Sequence, residues 1–219
     1  MKNQRTYIIA AVGIIGVIIA GIITAYFATR SNTTPSTSQH DMPKMDTSNS
    51  DESATYKKYA ALKGEAYDKA FLADMIVHHD GALNMAEMAN GAATDQNIKN
   101  LAANINATQG REIARMNELQ EQWGYQKTSG HMMSGGDMEM MEGMNMMGDE
   151  LKELTGAAFD KKFLSLMIDH HQQAIDMARP AAINAEHQEV KDIASAIITA
   201  QTKEIEDMKT WQKQLGYTS

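Results

Sequence analysis

Apolar residues recur at three- and four-residue spacing through most of the chain beyond residue 54, and no stretch reads as alternating strand. That periodicity predicts helices packed on one face. A helix is predicted from about Ala54 to about Ala89, broken at Asn90-Gly91. A second begins near Thr94-Asp95, both good N-cap types, and carries Ile98, Leu101, Ala102, Ile105, Ile113, Met116 and Leu119. It stops at Gly124, where a left-handed glycine closes a helix. The same grammar then returns. A helix runs through Phe163 to about Arg179, where Pro180 ends or kinks it. Another, over roughly 186–215, carries Val190, Ile193, Ala194, Ile197, Ile205, Met208 and Trp211 and ends at Gly216.

The return is an internal repeat. Residues 64–125 and 156–217 align without a gap at an offset of 92, with 27 identities in 62 pairs. Two antiparallel helical hairpins related by approximate two-fold symmetry are predicted to form an all-α four-helix bundle, one domain because either hairpin alone buries a thin core. The densest identity is Met75, His78, His79 and Met85, repeated as Met167, His170, His171 and Met177. On a helical wheel centred on Met75, Phe71, Leu72, Ala82 and Ala86 define the buried stripe. His79 falls about 40° to one side of Met75 and His78 about 60° to the other. Both imidazoles therefore lie on or beside the core face. Asp74 shares an edge with His78 and Met85, but its repeat partner is Leu166. Across the hairpin, Gln109 comes roughly level with Met75 and Glu112 one turn away, recurring as Gln201 and Glu204. These four are the candidates to orient the imidazoles from behind.

Outside the repeats the pattern changes. Tyr7–Ala28 is a charge-free run flanked by Lys2, Arg5 and Arg30, about 33 Å long as a helix. Residues 1–30 are therefore expected to be an N-terminal signal-anchor, a transmembrane helix with its basic end inside and the rest of the chain outside. Residues 31–53, rich in Ser, Thr, Asn, Asp and Pro, read as a flexible tether. The first hairpin then occupies 54–125 and the second 149–219. Between them, 126–148 holds His131, Met132, Met133, Met138, Met140, Met141, Met144, Met146 and Met147 on a Gly/Ser/Asp background. Its glycines and charges forbid a continuous apolar face, so a flexible loop is expected, in which the closely spaced methionines capture a soft ion.

Composition narrows the chemistry. The absence of cysteine excludes disulfides, thiolate sites and thiol catalysis, and leaves 18 methionines as the sulfur donors. The net charge of −8 and the lack of a basic stripe argue against nucleic acid. Soft thioethers select Cu(I), while imidazole accepts Cu(I), Cu(II) and Zn. Copper, with Cu(I) favoured, accounts for both residue types. Cu(II) or Zn at the histidine pairs stays open. No Glu-x-x-His occurs, which argues against a di-iron centre. Metalloprotease, phosphate-loop and serine-hydrolase motifs are also lacking, so no enzyme is expected.

The Asp-Met-Ile-x-His-His-x-x-Ala-x-x-Met-Ala core resembles the bacterial domain of unknown function 305 family, including its periplasmic copper-binding CopM-type members, over both repeats. The resemblance implies a ferritin-like helical bundle, an extracytoplasmic location and copper binding or tolerance. It places the family pattern on Met75, His78, His79, Met85, Met167, His170, His171 and Met177. The resulting expectation is a membrane-anchored extracytoplasmic protein that sequesters or relays copper, with a copper-handling protein as a further partner. Its rival is a helical interaction module in which the His/Met stripe is structural core; a copper-dependent oxidase is a third reading.

Overall fold

The computed structural model describes residues 52–125 and 135–217, with the backbone alone for 135–141. The expected anchor, the tether up to residue 51, His131, Met132 and Met133 lie outside the described residues. Among those described, no helix is long and apolar enough to cross a membrane. The architecture is all-α: α1 Ala54–Ala60, α2 Glu65–Ala92, α3 Gln96–Gln122, α4 Gly135–Asp149, α5 Gly156–Ala178, α6 Ala181–Asn184 and α7 Gln188–Gln214. The long helices pair as two hairpins, α2 with α3 and α5 with α7, and α2 packs on α5.

Two expectations are corrected. The first helix is not continuous from Ala54 to Ala89. Gly64 adopts φ +59°, which interrupts the helical path, and its N–H donates across the molecule to the Asn184 carbonyl at 2.7 Å. The break lets α1 fold back, so that Tyr59 meets Tyr67 edge-on, with ring centroids 6.3 Å apart. The methionine-rich segment, expected as a loop throughout 126–148, is helical from Gly135 to Asp149. Methionine and glutamate between the glycines are good helix formers, and docking on α2 supplies what the glycines withhold. Met144 packs onto Gly81, and Gly148 faces the Met88 methyl.

The repeat governs the ends of the hairpins. Four glycines with positive φ form two pairs at the 92-residue offset: Gly64 with Gly156 at the starts of α2 and α5, and Gly124 with Gly216 after α3 and α7. Each copy also caps the other. Asp160 accepts from the Thr94 and Asp95 amides, at 3.0 Å each, and from the Thr94 hydroxyl. Asp68, its repeat partner, accepts from the Glu186 and His187 amides and from His187 Nδ1, at 3.1, 3.0 and 2.7 Å. Both carboxylates are buried, so each replaces water for the turn that opens the other hairpin's second helix.

The core is two apolar clusters. One holds Phe71, Met75, Met116, Ala174, Met177 and Ile197; the other holds Ala82, Met85, Ile105, Phe163, Met167 and Ile205. Along every long helix the boundary falls at the same level. It lies between Met75 and Ala82 on α2, Ile105 and Met116 on α3, Met167 and Ala174 on α5, and Ile197 and Ile205 on α7.

Candidate functional site

The residues at that boundary are polar, and they are the ones the repeat preserves. Helix α2 contributes His78 and His79, α5 contributes His170 and His171, α3 contributes Gln109 and Glu112, and α7 contributes Gln201 and Glu204. The four imidazoles are fully buried. What the sequence presents as two core-edge stations is one layer across the bundle, in which the His78 and His170 rings lie with centroids 3.7 Å apart.

Glu112 and Glu204 do back the imidazoles. His79 Nε2–H donates to Glu112 at 2.8 Å, and His171 Nε2–H donates to Glu204 at 2.7 Å. A carboxylate only accepts, so Nε2 carries a proton in each pair and Nδ1 is the ring nitrogen the carboxylate leaves unengaged. His170 Nε2–H donates to the His78 carbonyl at 3.0 Å, leaving the same atom free. His79, His170 and His171 thus each present a buried Nδ1 without a hydrogen-bond partner, and His78 has none at either ring nitrogen. Gln109 Oε1 and both polar side-chain atoms of Gln201 are unpartnered as well. Burial, then the neighbouring His170, holds the His78 imidazole well below its ordinary value of 6.5. Burial and His171 act likewise on His170. Both rings are neutral, the state that ligates a metal.

The donors fit a soft metal in kind: imidazoles with unpartnered Nδ1 atoms, three of them held from behind by a carboxylate or carbonyl. They do not form a ready cage. Among the described residues, no group of three or more His, Cys, Asp or Glu side chains is positioned to hold an ion.

The thioethers divide evenly. Met75 and Met177 lie in the first apolar cluster, Met85 and Met167 in the second, all fully buried. Each side of the histidine layer therefore has one methionine from each repeat. Asp74, a candidate ligand from its edge position, is engaged elsewhere. It accepts from Lys58 at 3.1 Å and from the Tyr59 hydroxyl, both on α1. On α4, Met138, Met140 and Met141 have only their backbone described; Met144 is buried, Met147 half-buried and Met146 exposed. The contact of Met144 with Gly81 escaped the sequence reading, although a glycine inside a periodic helix is the signal of a close approach.

The model of the domain of unknown function DUF305 matches residues 21–89 and 68–212. The chain belongs to this family. Among solved structures of similar fold is CopM in its Cu(II)-bound form, 34% identical, covering 70% of this chain and 98% of that one with a TM-score of 0.58. CopM in its Cu(I)-bound form is 33% identical, covering 67% and 96% with a TM-score of 0.55. A DUF305 fragment from Deinococcus radiodurans is 25% identical, covering 71% and 99% with a TM-score of 0.60. No curated protein sequence matches the chain.

Proposed function

We propose that this DUF305 protein is an extracytoplasmic copper-binding protein, anchored in the membrane by residues 7–28, that sequesters or relays the ion and is not an enzyme. The observation that carries the reading is the buried layer of four imidazoles whose Nδ1 atoms have no partner. A core histidine normally satisfies its ring nitrogens, because each unsatisfied buried group costs about 1–3 kcal/mol. Four such rings, contributed in register by two repeats and flanked by Met75, Met85, Met167 and Met177, are donors kept in reserve. The mixture favours Cu(I) over Cu(II) or Zn. The kinship with CopM, solved with copper in both oxidation states, supports the same ion. The charge-free run at 7–28, with arginine on both sides, supports the anchor and the outside location.

The test titrates the metal-free full-length chain in detergent with Cu(I) against a competing chelator. Simultaneous replacement of His78, His79, His170 and His171 by alanine is expected to remove the tight binding. X-ray absorption of the loaded chain should count nitrogen together with sulfur. Unchanged affinity in the fourfold variant sinks the assignment.

One observation favours the rival: the His78 and His170 rings pack closely on each other at a 40° tilt, and among the described residues no three His, Cys, Asp or Glu ligands are preassembled. If the layer is only structural core, copper leaves the melting temperature where it was, whereas ligand linkage raises it for a genuine site.

A further inference from the structure

Helix α1 is short and thinly buried. Its seven residues cannot hold a helix alone in water, and Tyr59 is its only buried side chain. What holds it is a set of polar contacts to both repeats. The Ser53 hydroxyl caps the helix by accepting from the Tyr56 amide at 3.0 Å, and it donates to Asp176 on α5 at 2.6 Å. Lys58 and the Tyr59 hydroxyl donate to Asp74 on α2. The Arg179 guanidinium lies 4.8 Å from the centre of the Tyr56 ring, and the Asn184 amide donates to the Ala60 carbonyl at 3.1 Å. Helix α1 thus ties α2 to α5, the two helices whose packing puts His78 against His170. The residues that grip it do not recur. At the 92-residue offset, Asp74, Asp176, Arg179 and Asn184 correspond to Leu166, Asn84, Glu87 and Ala92. The grip is therefore no by-product of the repeat.

The grip also lies next to the layer. Asp74 stands one turn before His78 and adjoins Met75, while Asp176 adjoins Met177. Tyr59 packs in the same apolar cluster as those two methionines. The four imidazoles are fully buried, so nothing from solvent reaches them unless an element moves. The element that opens at least cost is one with little apolar burial, held by polar groups that water can take over. Helix α1 answers that description, whereas α4 is seated on α2 by apolar side chains. We propose that α1 is the door of the histidine layer: its release opens the α2–α5 seam, and its grip sets how fast an ion enters and leaves. The door is shut on the empty and the loaded layer alike, so loosening it speeds entry and exit together and leaves the affinity unchanged. The identity of the ion rests on the copper reading; the opening of the layer through α1 does not.

The experiment uses the full-length chain in detergent and two variants on α1. Ser53→Ala removes both the cap and the tie to Asp176. Lys57→Gly, at an exposed position, weakens only the helix. Three rates are followed: amide exchange across 54–60, acylation of the layer by diethyl pyrocarbonate, and Cu(I) entry and exit. The acylating probe attacks neutral imidazoles and needs no metal; His187, 31% exposed, is the reference within the same chain. All three rates are expected to rise in step, about tenfold for Ser53→Ala and about threefold for Lys57→Gly, with Kd constant within about twofold. If α1 exchanges faster while acylation and Cu(I) entry hold at the wild-type rates, the route lies elsewhere and the proposal is wrong. It is equally wrong if exchange across α1 does not respond, or if Kd weakens in proportion to a lowered melting temperature, since α1 would then be plain scaffold. If acylation quickens as expected but the fourfold histidine variant keeps wild-type Cu(I) affinity, the copper reading fails and the door stands.

Discussion

Replacing His78 by leucine should make the metal-free protein more stable. His78 is fully buried; neither ring nitrogen has a hydrogen bond of normal geometry, and the only backbone group near enough to act on the ring is that of His170. A neutral imidazole carries one donor and one acceptor, and each left dry costs about 1–3 kcal/mol. Leucine has roughly the same volume, so it removes both penalties without opening a cavity, which limits repacking loss to under about 1.5 kcal/mol. It forfeits the ring contact with His170, worth about 0.5–1.5 kcal/mol. The His78 carbonyl that accepts from His170 Nε2 is backbone and survives the change. The balance is a gain of about 2 kcal/mol, or a melting temperature higher by about 4–8 °C for a domain of this size. Copper should reverse the order, because ligand at a hundredfold excess over Kd adds about 2.7 kcal/mol to the wild type. The variant has lost one donor and gains less. Thermal melts followed by circular dichroism, with and without Cu(I), give all four values. A metal-free His78→Leu chain that melts below the wild type refutes the reasoning, because the ring would then be contributing to the core and not straining it.

The same geometry sets the outcome of four substitutions and of a change in pH. Asp160→Ala strips the Thr94 and Asp95 amides and the Thr94 hydroxyl of their acceptor, and should cost about 2–4 kcal/mol in urea unfolding. Asp68→Ala, which breaks the mirror contacts at Glu186 and His187, should cost a similar amount, and the two losses should add because they share no residue. Stability of the metal-free chain should hold above pH 6.5 and fall below it. The folded His78 and His170 rings stay neutral while the unfolded ones take up protons, at up to about 1.4 kcal/mol per pH unit per ring. Melts from pH 8 to pH 5 should show that slope, and it should shrink in the chain carrying leucine at both positions. Gly81→Ala places a Cβ 2.8 Å from the Met144 sulfur and should speed amide exchange across 142–149 about tenfold as α4 loosens. Gly143→Ala on the same helix meets nothing within 4 Å and should instead stabilise α4 by about 0.5–1 kcal/mol.

How much of this was legible in the sequence depends on the range of the interaction. Periodicity located α2, α3, α5 and α7, because each buries a single stripe, and Gly124 and Gly216 stopped their helices with φ of +67° and +71° as expected. The wheel and the hairpin put Glu112 and Glu204 within reach of the histidines, which needs only helical geometry and a turn. Nothing local could show that the two histidine pairs meet. That follows from α2 packing on α5, a long-range fact that brings His78 beside His170. Gly64 was misread because its φ of +59° answers to Asn184 in the other copy. The helix at Gly135–Asp149 was misread for a related reason. Its glycines are local evidence against helix, and the α2 surface that outweighs them lies far away in sequence.

The differences between the copies become orderly once the packing is known. Asp74, His78, Gly81, Met85 and Met88 share one edge of α2. In the second copy that edge reads Leu166, His170, Gln173, Met177 and Pro180. The histidine and the methionine persist, while the other three positions change. Those three are where α2 receives something the second copy lacks: Lys58 and Tyr59 of α1 on Asp74, and α4 on Gly81 and Met88. Leu166, apolar where Asp74 is charged, joins the second apolar cluster. The Asp74 carboxylate accepts from Lys58 and Tyr59 of α1, so its replacement by Leu166 answers to that contact, and His170 and His171 keep their place as donors. Symmetry is kept where four helices meet around the imidazoles and broken where α1, which packs on both α2 and α5, and α4, which packs on α2, are added. Any inequality between the two histidine pairs should accordingly arise from what covers α2. Stripping that cover with Gly81→Ala should bring the exchange and metal-loading rates of the two pairs closer together, whereas restoring an acid by Leu166→Asp should not improve binding. A gain in Cu(I) affinity from Leu166→Asp would mean that Asp74 is a ligand after all.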